Sequence, residues 1–125
     1  MKIVIAGAGE VGSHLAKMLS GEANDITVID SRQERLDVLS ATTDVITVYG
    51  NPSAINVLQE AGVASADLFI AVYPSDSQAV NIVSALTHAL GQQSTNLLTS
   101  NRRAVECGRS EVGVSLFQTN LNNQS

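Results

Sequence analysis

The chain has 125 residues, one cysteine, and 12 acidic against 7 basic side chains, which gives a formal net charge of −5 at pH 7. This charge disfavours a nucleic-acid groove, because such a groove needs clustered Lys and Arg to neutralise phosphates. A single cysteine excludes an internal disulfide and a cysteine-rich metal site. With only 3% aromatic residues, the core must come from Val, Ile, Leu and Ala, as in a parallel α/β sheet.

The first residues read as a buried strand rather than a signal peptide, and no apolar run reaches the ~18 residues of a membrane span. We therefore expect a cytoplasmic protein that does not insert into the membrane itself.

The first predicted element is a strand over residues 2–6, which is followed by Gly7-Ala8-Gly9-Glu10-Val11-Gly12. A G-x-G-x-x-G turn between a strand and a helix is the fingerprint of dinucleotide-binding folds. In that fingerprint Gly7 turns the chain, Gly9 lets a pyrophosphate approach the backbone, and Gly12 lets the helix pack closely on the strand. The free N–H groups that begin the helix then favour phosphate.

A second apolar strand over 26–29 ends on Asp30, 18 residues after Gly12, close to the ~20 of the fingerprint. A carboxylate there can accept hydrogen bonds from both ribose hydroxyls and would repel a 2′-phosphate, so NAD(H), ATP or ADP fit better than NADP. Arg32 and Arg35 follow in a helix predicted over 31–40. They either receive a 2′-phosphate or lie on the solvated face of that helix.

The alternation continues with a strand over 45–49, a helix over 53–61 closed by Gly62, a strand over 67–72 and a helix over 75–90. This order predicts a Rossmann-like, doubly wound parallel sheet in three α/β/α layers, forming a single domain. The predicted strand order is 3-2-1-4, with the ligand crevice at the carboxyl ends of strands one and four.

The loops that leave those strand ends supply the candidate site. Asn51 either borders the adenine or, with the Pro and Ser that follow it, forms a turn that starts the next helix. Ala71 lacks bulk and leaves room beside a ligand, whereas Ser75 is expected to cap the fourth helix. The candidate nucleotide-binding residues are Gly7, Gly9, Glu10, Val11, Gly12, Asp30, Ser31, Arg32, Gly50, Asn51, Ala71 and Val72.

No catalytic or metal-binding residue is predicted. His14 and His88 are expected on exposed helix positions, and Tyr49 and Tyr73 have no Lys at catalytic spacing. The sequence therefore favours a binding protein over an enzyme. Two other interpretations remain open: the NAD-binding part of a dehydrogenase, since many begin with the same fold, and an interaction module that has lost its ligand.

Several motifs together carry a family resemblance. GAGEVG is followed by VID and the pair Glu34-Arg35, by a V-x-G turn, by ADLFIAV with a Ser-Asp pair, and by Asn81 in a helix ending in Leu-Gly. This combination resembles the nucleotide-binding domain of potassium-transport regulators, the regulator-of-potassium-conductance (RCK, or KTN) domain. The resemblance extends over residues 1–91 and is much sparser over 92–117.

The resemblance implies a cytosolic, non-catalytic subunit that binds NAD(H) or ATP/ADP. Its partners would be further copies of itself, as a homodimer or larger oligomer, and a membrane potassium transporter of the Trk type at the inner face of the membrane. Carried over by position, the three motif glycines hold the phosphates and Asp30 holds the ribose. Arg32, Gly50, Asn51 and Ala71 line the nucleoside side. The resemblance also implies that this domain is one module of a longer regulator.

The chain departs from the family pattern in several places. After the fourth predicted strand, Tyr73 stands where the family often has Thr, and Ser77 stands where Glu often follows the Ser-Asp pair. Gly50-Asn51-Pro52-Ser53 stands where the family commonly has Gly-Asp-Ala-Thr, which removes a carboxylate near the adenine. After residue 91 the composition changes, with no Lys and only two acidic side chains over 92–125. Either the sequence of this region has diverged, or its coding frame differs from the ancestral one. We expect strands over 95–99 and 112–117, a short helix over 102–108, and a polar, disordered tail over 118–125.

Overall fold

The computed structural model describes residues 1–73, 76–89, 95–103 and 113–119. The strands are β1 (Lys2–Ala6), β2 (Asp25–Asp30), β3 (Ile46–Tyr49), β4 (Leu68–Tyr73), β5 (Thr95–Arg103) and β6 (Gly113–Thr119). The helices are α1 (Glu10–Ser20), α2 (Gln33–Thr42), α3 (Ile55–Glu60) and α4 (Asp76–Ala89), and a short 3₁₀ turn spans Val63–Ser65.

The strands form one sheet in the order β3-β2-β1-β4-β6-β5. The first four are mutually parallel, which confirms the predicted order 3-2-1-4. Strand β1 is central, and its last residue, Ala6, is in register with Ile29 on one side and Ala71 on the other. The carboxyl ends of β1, β2 and β4 therefore lie together at one edge of the sheet. At this edge the order of the strands reverses, because β2 lies on one side of β1 and β4 on the other.

Two apolar clusters, one on each face of the sheet, give the predicted three layers. On one face β1 contributes Ile3 and Ile5, and these pack with residues of α1 and α2 such as Ala16 and Leu36. The other face is covered by α3 and α4, which bury Leu58, Ile82 and Leu86 against Val4, Ala6, Ile29, Val48 and Phe69. The alternation of neighbouring β1 residues between the two clusters is expected of a strand covered on both faces.

The last two strands differ from the rest of the sheet. Strand β6 pairs with β4 in antiparallel orientation, and β5 pairs with β6, also antiparallel. Only residues 104–112 connect β5 to β6. Parallel neighbours need a crossover of about a dozen residues or more, whereas antiparallel neighbours do not. The doubly wound parallel arrangement is therefore confirmed for four strands, and an antiparallel pair extends it.

The end of the chain also differs from the sequence prediction. Arg102 and Arg103 belong to β5, so the helix expected to begin at Arg102 is wrong at these residues. Strand β6 runs to Thr119, two residues into the segment expected to be a disordered tail. The remainder of the expected helix, Ser75, Gly91 and residues 120–125 lie outside the described residues.

The amino end of β1 is fastened to the strand beside it. The backbone N–H of Lys2 donates to the Asp67 carboxylate at 2.8 Å, and the Asp67 N–H donates to the Lys2 carbonyl at 2.8 Å. The ammonium group of Lys2 donates to the Ser65 hydroxyl at 2.9 Å. The ammonium group of Lys2 is thus held near the amino end of β1, and the glycine turn follows the other end of this strand.

Two isoleucines provide a matched test of where the stability of this fold resides. Ile5 is fully buried in the sheet, whereas Ile46 on the edge strand β3 is 63% exposed. We expect Ile5→Ala to lower the free energy of unfolding by about 2–5 kcal/mol, because it removes apolar atoms and leaves a cavity. Ile46→Ala should change it by less than about 1 kcal/mol. Urea unfolding followed by circular dichroism measures both, and equal losses would contradict the burial described here.

Candidate nucleotide-binding site at the glycine turn

The turn between β1 and α1 is built so tightly that two of its glycines are required by the fold itself. Gly7 has φ of +117°, a conformation that residues with a side chain rarely adopt. Its N–H donates to the Ile29 carbonyl at 2.8 Å. A Cβ on Gly12 would lie 1.8 Å from the Gly7 carbonyl oxygen. Gly12 is therefore needed for the first turn of α1 to pack against the end of β1.

Gly9 is different, because nothing in the described structure requires a glycine there. Its φ of −71° and ψ of −163° are extended values that any residue adopts. A Cβ on Gly9 would meet only the Arg35 guanidinium, at 3.6 Å, which is an ordinary contact distance. A Cβ on Gly9 would lie between the turn and this guanidinium, at the position where a phosphate group approaches the backbone in the fingerprint.

Helix α1 begins at this same glycine. Gly9 is the N-cap residue and has no side chain to cap the helix. The Ser13 hydroxyl donates to the Ala8 carbonyl at 2.8 Å, and the Ser13 N–H donates to the Gly9 carbonyl at 2.9 Å. A helix begun in this way presents backbone N–H groups and the positive end of its dipole, which together suit an anion.

Asp30 lies at the end of β2 and is only 4% exposed. One of its carboxylate oxygens, Oδ2, accepts a hydrogen bond from the Ala8 N–H at 2.7 Å. The other, Oδ1, accepts one from the Arg32 N–H at 2.8 Å. An ionised carboxylate offers about four acceptor positions, so these two bonds leave capacity for the hydroxyls of a ribose.

The two arginines after Asp30 have different positions. Arg32 is the N-cap residue of α2, with an exposed side chain and its backbone N–H on Asp30. The guanidinium of Arg35 instead lies 3.8 Å from Asp30 Oδ2, with its side chain 45% exposed. The sequence did not decide between a solvated position and a ligand-facing one for either residue. The structure places Arg35 above the glycine turn, and its location in the first turn of α2 was the only signal.

Asn51 serves as a turn residue at the end of β3. Its side-chain oxygen accepts a hydrogen bond from the Ser53 N–H at 2.9 Å. Its carbonyl oxygen accepts one from the Ala54 N–H at 2.9 Å. This geometry favours the second of the two interpretations of Asn51, a turn that starts α3. Gly50 remains close to the site, because its N–H donates to the Asp30 carbonyl at 3.0 Å.

The other predicted site residues differ in their solvent exposure. Ala71 and Val72 lie within β4 rather than in the loop after it, and both are buried. Glu10 and Ser31 are exposed and Val11 is half-buried. Hydrogen bonds or close approaches connect Gly7, Ala8, Gly9, Gly12, Asp30, Arg32, Arg35 and Gly50, of which Ala8 and Arg35 were not among the candidate residues.

Two further features concern only the residues that the structure describes. Among them, no cluster of His, Cys, Asp or Glu has the arrangement of a metal site. No helix within these ranges is long and apolar enough to cross a bilayer.

The parallel sheet, the glycine turn and the strand-end carboxylate define a Rossmann-like domain of the nucleotide-binding type. Residues 3–117 match the family model of the TrkA-N domain, and the chain belongs to that family. The resemblance to RCK or KTN domains is thereby confirmed.

Individual relatives agree with this family. The Trk system potassium uptake protein TrkA of Haemophilus influenzae is 47% identical over 83 residues, covering 66% of this chain and 18% of the relative. The protein of the same name from Halomonas elongata is 43% identical over 98 residues, covering 78% of this chain and 21% of the relative. The chain thus spans about a fifth of the length of these curated relatives.

A solved structure also has a similar fold. The Kef CTD of Shewanella denitrificans, in its AMP-bound form, superposes with a TM-score of 0.60 and 25% sequence identity. The match covers 74% of this chain and 55% of that one.

Three glycine-to-alanine variants separate what the fold needs from what it does not. We expect Gly12→Ala to lower the free energy of unfolding by about 1–3 kcal/mol or more, because the new Cβ overlaps the Gly7 carbonyl. Gly9→Ala should change it by less than about 1 kcal/mol. Gly21→Ala is the control, since a Cβ there has no atom within 4 Å. Chemical denaturation measures all three. A large loss for Gly9→Ala would show that the fold itself requires this glycine.

Proposed function

We propose that this domain is the adenine-nucleotide-binding module of a cytoplasmic regulator of potassium uptake. It binds NAD(H) or ATP/ADP at the glycine turn. It passes its ligand state, through rearrangement of a homodimer or larger oligomer, to a Trk-type membrane potassium transporter at the inner face of the membrane. Membership of the TrkA-N family and relatives named as potassium uptake proteins support this proposal.

The observation that carries nucleotide binding is the combination of a dispensable glycine with an uncapped helix. Gly9 has ordinary backbone angles and no tight neighbour, yet it lies where α1 begins without a side-chain cap. A bound phosphate explains both features, because it fits the space that a Cβ would occupy and accepts hydrogen bonds from the helix N–H groups. The AMP-bound form of the Kef CTD supports an adenine nucleotide as the ligand class.

The residues of the site then have separate roles. The loop from Gly7 to Gly12, with Glu10 and Val11 in the first turn of α1, surrounds the phosphates. Asp30 accepts hydrogen bonds from the ribose with its remaining lone pairs. The nucleoside side is bordered by Ser31, Arg32, Gly50, Asn51, Ala71 and Val72. Ala71 lies in register with Ala6, so two small side chains adjoin the crevice between β1 and β4.

Binding without catalysis is part of the proposal. A hydride-transfer site needs an acid or base placed beside the nicotinamide. Three candidate groups among the described residues have other surroundings: Lys2 is held by Ser65, His14 is exposed on α1, and the His88 ring is 2.9 Å from the Ser84 carbonyl on α4. These positions favour a regulatory pocket over the dehydrogenase alternative.

Calorimetric titration tests the binding proposal. We expect the unmodified chain to bind at least one of NADH, NAD, ATP and ADP, and Gly9→Ala to weaken that binding tenfold or more, because the Cβ takes the place of a phosphate oxygen. Gly21→Ala should bind within about twofold of the unmodified chain, since Gly21 ends α1 on the side away from the turn. Absence of heat with all four nucleotides would exclude the sensor, and an equal loss in both variants would place the ligand elsewhere.

Association with the transporter needs its own experiment. We expect the chain to sediment with membrane vesicles that contain a Trk-type transporter and to do so to different extents with NADH, ATP, ADP or no nucleotide. Vesicles of the same lipid without the transporter are the control. Sedimentation that is equal with both kinds of vesicle would argue against a transporter partner. Light scattering of the chain in vesicle-free buffer, with and without each nucleotide, reports the oligomeric state.

A further inference from the structure

Arg35 occupies a position that its own element does not require. It lies in the first turn of α2, yet its guanidinium reaches back to the glycine turn and lies 3.8 Å from Asp30 Oδ2. The same nitrogen, Nη1, would be 3.6 Å from a Cβ on Gly9. A cation therefore borders Gly9, the glycine of the turn that the described structure does not require.

The contact between Arg35 and Asp30 is loose. Its 3.8 Å separation exceeds the 2.7–2.9 Å that is typical of a charge-assisted hydrogen bond. The side chain of Arg35 is 45% exposed, and exposed ion pairs contribute only about 0–1 kcal/mol. Among the described residues this ion pair is the interaction that the structure gives the guanidinium. Asp30 meanwhile holds its backbone partners at 2.7 and 2.8 Å, so Arg35 can exchange partners without disturbing the turn.

The other basic residues of the segment 1–91 have different positions in the structure. Residues 1–91 contain four basic side chains, which are Lys2, Lys17, Arg32 and Arg35. Lys2 is fastened at the opposite edge of the sheet, and Lys17 lies in the last turn of α1. Arg32 lies on the Oδ1 side of the Asp30 carboxylate, where its own N–H donates. Of these four, Arg35 is the residue whose guanidinium the structure places near Oδ2, the oxygen that also accepts from the Ala8 N–H of the glycine turn.

We infer that Arg35 is the residue by which this site recognises a nucleotide phosphate. When the pocket is empty, the guanidinium partly neutralises the buried Asp30 carboxylate. When a nucleotide binds, the guanidinium donates to its 5′-phosphate above Gly9, and Asp30 is left to the ribose. The site thereby distinguishes a nucleotide from a nucleoside, and the planar donor geometry of Arg suits phosphate better than a Lys would. This inference rests on the proposed binding of nucleotides.

The geometry favours the 5′-phosphate over a 2′-phosphate. The glycine turn is where the 5′-phosphates of a nucleotide lie, whereas the 2′-position of the ribose lies beyond the strand-end carboxylate. The Arg35 guanidinium is on the first of these sides, near Gly9. Lys17, in the last turn of α1, provides a control with the same charge away from the glycine turn.

The test uses three small probes and the 125-residue chain. Adenosine, AMP and adenosine 2′-monophosphate are titrated into isotope-labelled protein, and dissociation constants are taken from NMR shifts of the backbone amides. The variants are Arg35→Gln, Arg35→Lys and Lys17→Gln. Melting temperatures are measured alongside. They should change by less than about 4 °C, because the ion pair that is removed is weak and exposed.

We expect the unmodified chain to bind AMP at least about tenfold more tightly than adenosine, since hydrogen bonds to a charged group are worth a factor of that order. Arg35→Gln should weaken AMP binding about tenfold and leave the dissociation constant of adenosine within about twofold. It should also reduce the salt dependence of AMP binding. Arg35→Lys should recover part of the loss. Lys17→Gln should leave AMP binding within about twofold of that of the unmodified chain.

Three outcomes would overturn the inference. Equal weakening of adenosine and AMP in Arg35→Gln would place Arg35 on the nucleoside side. A selective loss of binding to adenosine 2′-monophosphate would show that Arg35 contacts a 2′-phosphate. Unchanged binding of all three probes would show that Arg35 is not part of the site. These results leave nucleotide binding itself intact. If the unmodified chain binds none of the three probes or the four larger nucleotides, the proposed function fails as well.

Discussion

The carboxylate of Asp30 is the group on which the geometry of this site depends. It is nearly fully buried, and an ionised carboxylate without partners in such a place would be strongly unfavourable. It is stable here because the N–H groups of Ala8 and Arg32 donate to its two oxygens. Hydrogen bonds to charged groups contribute about 1.5–3 kcal/mol each. The same two bonds connect the glycine turn after β1 to the beginning of α2, so one side chain fixes both loops.

The sheet provides the positions from which those bonds become possible. Because β1 lies between β2 and β4, its carboxyl end has a neighbouring strand end on each side. The turn that follows β1 must therefore pack closely against these neighbours. Gly12 allows that packing by coming within contact of the Gly7 carbonyl. Helix α1 then starts directly above the edge of the sheet and presents its N–H groups there. The position of the beginning of α1 is thus a consequence of strand order and of the missing Cβ at Gly12.

The sequence predicted this part of the molecule well because its signals are local. A β-branched strand, a glycine spacing and an acid at the end of the next strand each lie within a few residues of the structure that they specify. The antiparallel pairing of β5 and β6 could not be predicted in this way. It depends on which strand occupies the edge beside β4, and that is decided by contacts between residues far apart in the chain.

The side chain of Arg35 shows the same limit within the site. Its position in the first turn of α2 permits either a solvated guanidinium or one that reaches the glycine turn. Only the relative placement of α2 and the turn, which Asp30 fixes, decides between them. Asn51 was undecided for a related reason, since the same amide can border a ligand or close a turn, and the Ser53 N–H lies close enough to take its oxygen.

The residues of the site divide into those that the fold needs and those that only a ligand explains. Gly7, Gly12 and Asp30 are fixed by backbone angle, by close approach and by buried hydrogen bonds, so they would be required even in a domain that had lost its nucleotide. They support the fold but do not by themselves distinguish a sensor from an interaction module. Gly9 and Arg35 have no comparable role in the described structure. Because they lie against each other at the beginning of α1, a bound phosphate accounts for both at once.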